Sequence, residues 1–599
     1  TIADGFALED GGAIDNRGIL NLNNSIVRDS VASDDGGGIH NLGTLRLNNS
    51  TIGNNIAEDD GGGIGNFNGI VEASNTIFSG NAAASDGGGI FNFNGTLELV
   101  SSTLTENAVD GGNGGGIRSF RGTTSVRNTI IAGNIDEGGE SPDASGSFTS
   151  NGFNLVGVSN GSQGFSNGDI VGTENNPIDP QLNDLENHHL PLVGSPVIDT
   201  GDPSITGFDR IGTSRPQGAG VDIGAGEFQF LDRFTVDTAI DEFDGDLTPG
   251  DVSLREAIFA TSSGGTIDFA ASLSGSAIGL TLGTLTLNKN LTIQGLGADN
   301  LTLDGNNSTR IFSIEPNANV AISGLSLANA SNSAIFNFGT LNLSESIVRD
   351  SRGRFTGGIN NQGNLTVVNS IIRDNQDEER EGGSGIGNFG TATLQGSTVS
   401  NNLNGGIFNA SNGNLTIDNS TISNHIGQSG IRNSGNLTVT DSTISNNNNA
   451  SDGGGINNAG TLNLSNSTLS GNQAGFGGGI FNDFSSTFTI TNSTIANNTA
   501  RNSGGGIVSL GLISETPVVT PQIGNSIIAG NISAVIPDVD GRFISNGFNL
   551  IGNGNGSSSF INGVNGDIVG TRENPIDPRL SPLQNNGGST LTHVPLPGS

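Results

Sequence analysis

The sequence predicts an all-β chain, a right-handed parallel β-helix, and three observations lead there. A unit of the form G-G-G-I-x-N-x-G-x-L-x-L-x-N-S-x-I recurs through most of the 599 residues. Within it apolar and polar residues alternate with period two, the pattern of a strand with one buried face. Large side chains are scarce: 97 residues are Gly, Cys, Met, Trp and Tyr are absent, and 29 Phe supply the aromatic packing. Such a chain cannot fill a thick core. It fills a thin one if the backbone turns back at short, regular intervals.

The repeat sets those intervals. Its anchor isoleucines in a first array are Ile14, Ile39, Ile64, Ile90 and Ile117, with gaps of 25, 25, 26 and 27. A second array runs Ile335, Ile359, Ile386, Ile407, Ile431, Ile456, Ile480 and Ile507, with gaps of 21 to 27. Leu45 and Leu47 skip Arg46, Leu415 and Ile417 skip Thr416, and Leu462 and Leu464 skip Asn463. Ser, Thr, Asn and Gly between these pairs are turn residues. Three strands and three turns per unit make one coil. A leucine-rich repeat of similar length would need a helical segment, and helix formers are too few.

Coils stacked at one strand spacing, about 4.8 Å, place equivalent residues above one another. Ile and Leu become apolar columns. Asn16, Asn41, Asn66 and Asn92, then Asn337, Asn361, Asn388, Asn409, Asn433, Asn458 and Asn482, become an amide ladder. Each array ends that column on a serine, Ser119 and Ser509. The glycine triplets serve a tight corner.

A longer period lies over the short one. Residues 128–134 return as 525–531, 151–155 as 546–550 and 168–173 as 566–571, offsets of 397, 395 and 398. The chain therefore reads as parts of two tandem modules. Residues 1–134 form the coils of the first and 135–230 its irregular C-terminal segment. Residues 231–262 cap the second, 263–531 form its coils, and 532–599 begin its C-terminal segment. Ser253 and Glu256 have capping-box spacing ahead of an apolar stripe of Leu254, Ala257 and Ile258, which predicts a short helix closing the open strand edges of the stack. The chain opens on Thr1 in mid-pattern, so it is expected to be a processed or excerpted piece of something longer.

The motifs now on the page resemble bacterial sequences. VSLREAI at 252–258 is similar to the motif that names the CSLREA domain, with Val252 in place of the Cys. The GGGI and FN elements resemble the repeats of polymorphic outer membrane proteins. The stretch 195–228 is similar to the choice-of-anchor Q region. These resemblances imply a secreted or cell-surface protein on a pectate-lyase-like β-helix, and no defined reaction.

Composition narrows the function classes. The net charge of −36, with Lys289 the single lysine, is wrong for nucleic acid or anionic lipid, which need clustered cations. No run of 18 apolar residues predicts a transmembrane helix. A polysaccharide lyase would need a cationic site for the uronate carboxylate, and a hydrolase a single carboxylate pair at controlled separation. The pairs Asp34–Asp35 and Asp59–Asp60 recur coil after coil, which reads as architecture. His40, His188, His189, His425 and His593 share no metal-ligand spacing, and His188–His189 reads as a loop dipeptide. No enzyme is expected.

Two acidic groups are candidate calcium ligands. Asp35, Asp60, Asp86 and Asp110 each precede a glycine-rich turn, and stacked carboxylates either form a solvated acidic edge or are bridged by Ca²⁺. Asp199, Asp202, Asp222 and Glu227 form the second group, with turn capping as the other reading. Thr421, Thr443, Thr468 and Thr494 make a Thr column that either docks glycans or ice or is ordinary strand face. The expected function is a secreted, modular structural protein: a surface fibre, matrix component or adhesin stalk. Its expected partners are further copies end to end, or surface glycans. A carbohydrate-binding or carbohydrate-cleaving β-helix is the alternative.

Overall fold

Each repeat becomes one coil of a parallel β-helix in the computed structural model, which describes residues 1–138, 141–166, 168–379, 382–510 and 520–599. The coil that starts at Thr44 shows the plan: strands Thr44–Asn48, Thr51–Gly53, Ile56–Ala57 and Ile64–Phe67. The next coil repeats it as Ile70–Ser74, Ile77–Ser79, Ala82–Ala83 and Ile90–Phe93, each strand parallel to its counterpart. The repeat predicted three strands per coil, and in this array there are four. The additional one, such as Ile56–Ala57, is too short for an alternation to register in the sequence.

Chain contacts divide the protein into two compact units, residues 1–231 with 243–246, and 232–242 with 247–599. Among the described residues, unit 1 is built on sheets of eight, six, seven and six strands, and unit 2 on sheets of 13, 13 and 11 with smaller ones beside them. In each, strand order follows chain order coil by coil.

The predicted columns are the interior. Ile39, Ile64, Ile90 and Ile117 stack in register and are fully buried, as are Leu45, Val71 and Leu97 on the next face. The Asn column is a hydrogen-bonded ladder: Asn41 Nδ2 donates to Asn66 Oδ1 at 2.7 Å, and Asn66 to Asn92 at 2.8 Å. In unit 2 it runs unbroken from Asn337 to Asn482, which donates to Ser509 Oγ. A second interior amide ladder joins Asn55, Asn81, Asn107 and Asn134, and a third column of Ser and Thr hydroxyls accepts backbone N–H groups. With three polar ladders inside, small residues and amides close the core that the composition could not fill with bulk.

Corners explain the remaining repeat residues. Asn49, Asn75 and Asn128 take φ of 46–49°, where Asn is tolerated. The glycine triplet is required twice over: Gly61 has φ of 70°, and a Cβ on Gly62 would lie 2.3 Å from the Ala82 carbonyl oxygen of the next coil.

The one α-helix among the described residues, α1 (Leu254–Ala260), stands where the capping box predicts it, with both hydrogen bonds of the box present. Leu254, Ala257 and Ile258 are buried, and the strand Thr261–Phe269 that follows stands near the head of a 13-stranded sheet.

Each unit ends with its chain returning along the outside of one sheet. In unit 1, His189 Nε2 lies 2.8 Å from Ser79 Oγ, and the Ala225 N–H donates to Thr103 Oγ1 at 3.0 Å. In unit 2, His593 Nε2 lies 2.9 Å from Ser470 Oγ, and Thr443 Oγ1 donates to the Leu591 carbonyl at 2.6 Å.

Candidate functional site

The acidic corner of unit 1 is a column, with membership that differs from the expectation. Asp35 Oδ1 accepts from the Asp60 N–H at 3.1 Å, Asp60 Oδ1 from the Asp86 N–H at 2.9 Å, and Asp86 Oδ1 from the Asn113 N–H at 2.8 Å. The Gly11 N–H donates to the Asp35 carbonyl, so Asp10 is the equivalent residue one coil earlier. Asp110 is not in the column. It is exposed and precedes an insertion in the longest unit of this array, so Asn113 takes its place in the stack. Asp10 was missed because its array neighbour begins before the first full repeat.

Asp35, Asp60 and Asp86 each spend one carboxylate oxygen on the adjacent coil. Carboxylate oxygens of Asp10, Asp34 and Asp35 lie within 4.8 Å of one another, as do those of Asp35, Asp59 and Asp60. Among the described residues these two overlapping triplets are the groups close enough to share a metal ion, and oxygen donors of this kind suit Ca²⁺. The electrostatic cost of the arrangement is visible. Burial, with the charges of Asp60, Asp34 and Asp59 added, pushes the Asp35 carboxyl up to about 7. Burial and neighbouring Asp59 and Asp86 push Asp60 up to about 6. Asp86 stands outside both triplets, 3.6 Å from Arg118 Nε, where a guanidinium already supplies the positive charge. His40, buried beside this edge, meets Asp15 Oδ1 at 3.1 Å and Asp10 Oδ2 at 3.6 Å.

The second predicted group is drawn into the fold of its own segment. Asp199 Oδ1 accepts from the Ala219 and Gly220 N–H groups at 2.8 and 2.7 Å. Asp202 pairs with Arg127 and accepts from Ser204. Asp222 accepts from the Asp199 and Phe228 N–H groups, and Glu227 pairs with the fully buried Arg215 at 2.7 Å. Burial, then the charge of Glu227, pushes Asp222 up to about 7. These four carboxylates bracket turns. Their oxygens do not form a shared ligand set.

Two further expectations change. Thr443 and Thr468 are buried, and Thr421 and Thr494 half-buried, because residues 577–599 return over part of that face. His189 is buried and tied to Ser79 and the Asn183 carbonyl, with burial lowering its pKa. His425 stands inside the amide ladder in place of Asn: its Nδ1 accepts from the Asn402 N–H and its Nε2 donates to the Val399 carbonyl.

An outward aromatic ridge was not foreseen, since the repeat pattern draws the eye to inward positions. Phe67, Phe91, Phe93 and Phe120 run coil to coil with ring centroids 5.6–6.1 Å apart, Phe91 buried under the more open rings of the other three. Arg118 and Arg121 lie over the Phe120 ring at 5.4 and 5.0 Å. In unit 2 an open depression of about 490 Å³ is lined by Gln428, Ser429, Arg432, Asn449, Ser451 and Asn457.

The class these features define is a right-handed parallel β-helix. Residues 358–557 match the family described as "Right handed beta helix region". Among solved structures the chain is similar to the one titled "Crystal structure of pectate lyase Pel9A", at 17% identity and a TM-score of 0.34, covering 47% of this chain and 78% of that one. No curated protein matches the chain. Among the described residues, no helix is long and apolar enough to cross a membrane, which says nothing of β-barrels.

Proposed function

We propose that the chain is a secreted bacterial structural protein, part of an elongated surface fibre, matrix component or adhesin stalk outside the cell. The observation that carries this reading is the run of interior ladders, in which each amide from Asn337 to Asn458 donates to the one in the next coil. Such a stack resists extension and local opening through many small contacts that add along the axis. The buried carboxylates Asp222, Glu227, Asp143 and Asp538 are held in hydrogen bonds that organise turns. Calcium belongs to the proposal at Asp10, Asp34, Asp35, Asp59 and Asp60, where it relieves carboxylate repulsion. Attachment to further copies end to end completes it.

Electron microscopy of the native source material, with and without a calcium chelator, tests this. Filaments with a regular axial repeat are expected, and their loss in chelator places calcium in the assembly. Isolated particles in both conditions defeat the fibre reading.

A second reading, carbohydrate binding, draws on the accessible rings of Phe67, Phe93 and Phe120, since aromatic faces flanked by polar groups stack on sugar rings. A polysaccharide panel separates the readings. Retention weakened by Phe120→Ala supports glycan docking, whereas released reducing ends or unsaturated uronates defeat the structural reading altogether.

A further inference from the structure

One outer face of unit 2 has a composition of its own. Eight consecutive strands of a 13-stranded sheet, from Asn319–Ser323 to Thr487–Thr491, are each five residues long and pair in unbroken parallel register. Their second and fourth residues are buried, and none of the first, third and fifth is. Those outward positions hold Thr, Asn or Ser, with the exceptions of Ala321, Val368, Gln395 and Asp418. The face thus carries one charged residue and no aromatic ring, in a chain whose net charge is −36.

Pairing in register turns these residues into a grid. Thr366, Thr393, Thr416, Thr438, Asn463 and Thr489 form its central column. Neighbours in a column stand about 4.8 Å apart, and neighbours along a strand, two residues on, about 6.6 Å. Among the described residues, the side-chain hydrogen bonds within this face are those of Asn436 to Asn414 and Ser465 to Thr440. The central threonine hydroxyls, each able to donate once and accept twice, are left for a partner outside the chain. Interior serines of the same coils differ: Ser397 and Ser420 each donate to a backbone carbonyl and accept from a backbone N–H.

The fold does not dictate this surface. On the corresponding sheet of unit 1, Arg46 pairs with Glu72 at 2.7 Å, Glu98 stands one coil on, and Ile19 is 74% exposed. Nor does the fold cover it. The segments that return along each unit lie on the neighbouring sheet, at Ser79 and Thr103 in unit 1 and at Thr443 and Ser470 in unit 2. The grid's partner follows from what the grid lacks. Nucleic acid is held by clustered cations, sugar rings by aromatic faces and a protein by an apolar centre, and this face offers none of them. A neutral lattice of water needs only donors and acceptors at a fixed repeat.

We propose that this Thr and Asn grid, centred on Thr416 and Thr438, binds ice. Its two spacings are close to the oxygen repeats of a prism face of hexagonal ice, so waters held on adjacent columns and along each strand fall near lattice positions. The lone charge, Asp418, stands in a marginal column and leaves the centre neutral. Chains seated on an ice surface pin its growth between them. The inference stands apart from the fibre reading, since a single dissolved chain carries the whole grid.

The test grows ice slowly from a dilute solution of the full chain. The chain is expected to be enriched in the ice over the remaining liquid, and to facet single crystals held just below the melting point. A Thr416→Lys, Thr438→Lys double variant is expected to lower that enrichment at least tenfold with its circular dichroism spectrum unchanged. Asn463→Lys serves as a second variant should the double one fail to fold. Ser125→Lys, on the corresponding sheet of unit 1, is expected to partition like the parent. Exclusion of the parent chain from ice overturns the inference, and so does unchanged partition of the folded Lys variants. Retention on insoluble cellulose or chitin that the Lys variants abolish, without enrichment in ice, assigns the face to a glycan and overturns it as well.

Discussion

Replacing Asn472 by Ala tests whether the interior amides hold the stack together. The side chain is fully buried and makes four hydrogen bonds. Its Nδ2 donates to the Ile444 carbonyl and to Asn498 Oδ1, both at 2.9 Å, and its Oδ1 accepts from the Asn447 N–H at 3.1 Å and Asn447 Nδ2 at 2.9 Å. Alanine removes all four bonds and strands the Asn447 N–H, whereas Asn498 Oδ1 keeps the residue 472 N–H and Asn447 Nδ2 keeps the Ile422 carbonyl. At about 1 kcal/mol for each lost bond, the loss is about 4 kcal/mol, concentrated on the coils carrying residues 444–498. The exposed Asn436, whose side chain donates to the exposed Asn414, is the control and is expected to lose less than about 0.5 kcal/mol as Ala. Native-state hydrogen exchange reads the effect coil by coil, which a stack of near-independent repeats requires. A loss below about 1 kcal/mol, or exchange that rises evenly across unit 2, refutes the argument that unsatisfied ladder groups dominate the cost.

Four further outcomes are expected. Burial holds the His425 imidazole down at about 4, so the folded ring is neutral where the unfolded ring, near 6.5, is charged; its contribution to stability is lost as pH falls from 6.5 towards 4, and His425→Asn abolishes that dependence in denaturant titrations. Asp35 and Asp60, pushed up to about 7 and about 6, keep protons in the folded chain that the unfolded chain has released, so unit 1 loses stability as pH rises from about 4 to 7. Calcium is expected to raise the melting temperature at pH 8 in the parent and not in an Asp35→Asn, Asp60→Asn double variant; equal shifts in both remove calcium from this corner. Gly62→Ala, whose Cβ would stand 2.3 Å from Ala82 O, is expected to open the neighbouring coils, whereas Gly18→Ala, with nothing within 4 Å, changes stability by less than about 1 kcal/mol in thermal melts.

Much of the fold is legible in the sequence because the repeat states the same packing problem many times over. Ile39, Ile64 and Ile90 at one spacing, with Asn41, Asn66 and Asn92 two residues on, leave one way to turn a period-two strand into a closed column. What the repeat hides is whatever departs from it. The two-residue strands were lost to their brevity, and the burial of His189 and Thr443 to contacts across 110 and 148 residues that no local pattern records. The ridge of Phe67, Phe91, Phe93 and Phe120 sits at positions the repeat leaves free. Asp110 was misplaced because counting residues along a coil fails where an insertion slips the register.

The acidic corner raises a different question, whether its carboxylates serve the turn or something beyond it. Unit 2 answers by substitution. The residue whose carbonyl receives the first glycine N–H of the adjacent coil is Asp35, Asp60 or Asp86 in unit 1, but Phe476, Ser503 and Ile536 in unit 2, with the same backbone bond kept. A ring, a hydroxyl and a branched aliphatic all fit, so the turn does not need an acid. The carboxylates of unit 1 therefore add repulsion that folding does not require, and Arg118 beside Asp86 relieves it at only one end of the column. At the other end, Asp10, Asp34, Asp35, Asp59 and Asp60 converge with no arginine among the ion pairs of the described residues, and only Asp10 meets a basic side chain, the His40 imidazole at 3.6 Å. A divalent cation with oxygen ligands is the neutralising charge whose chemistry matches that set, which is why calcium is placed in the proposal at this end of the column and not at Asp86.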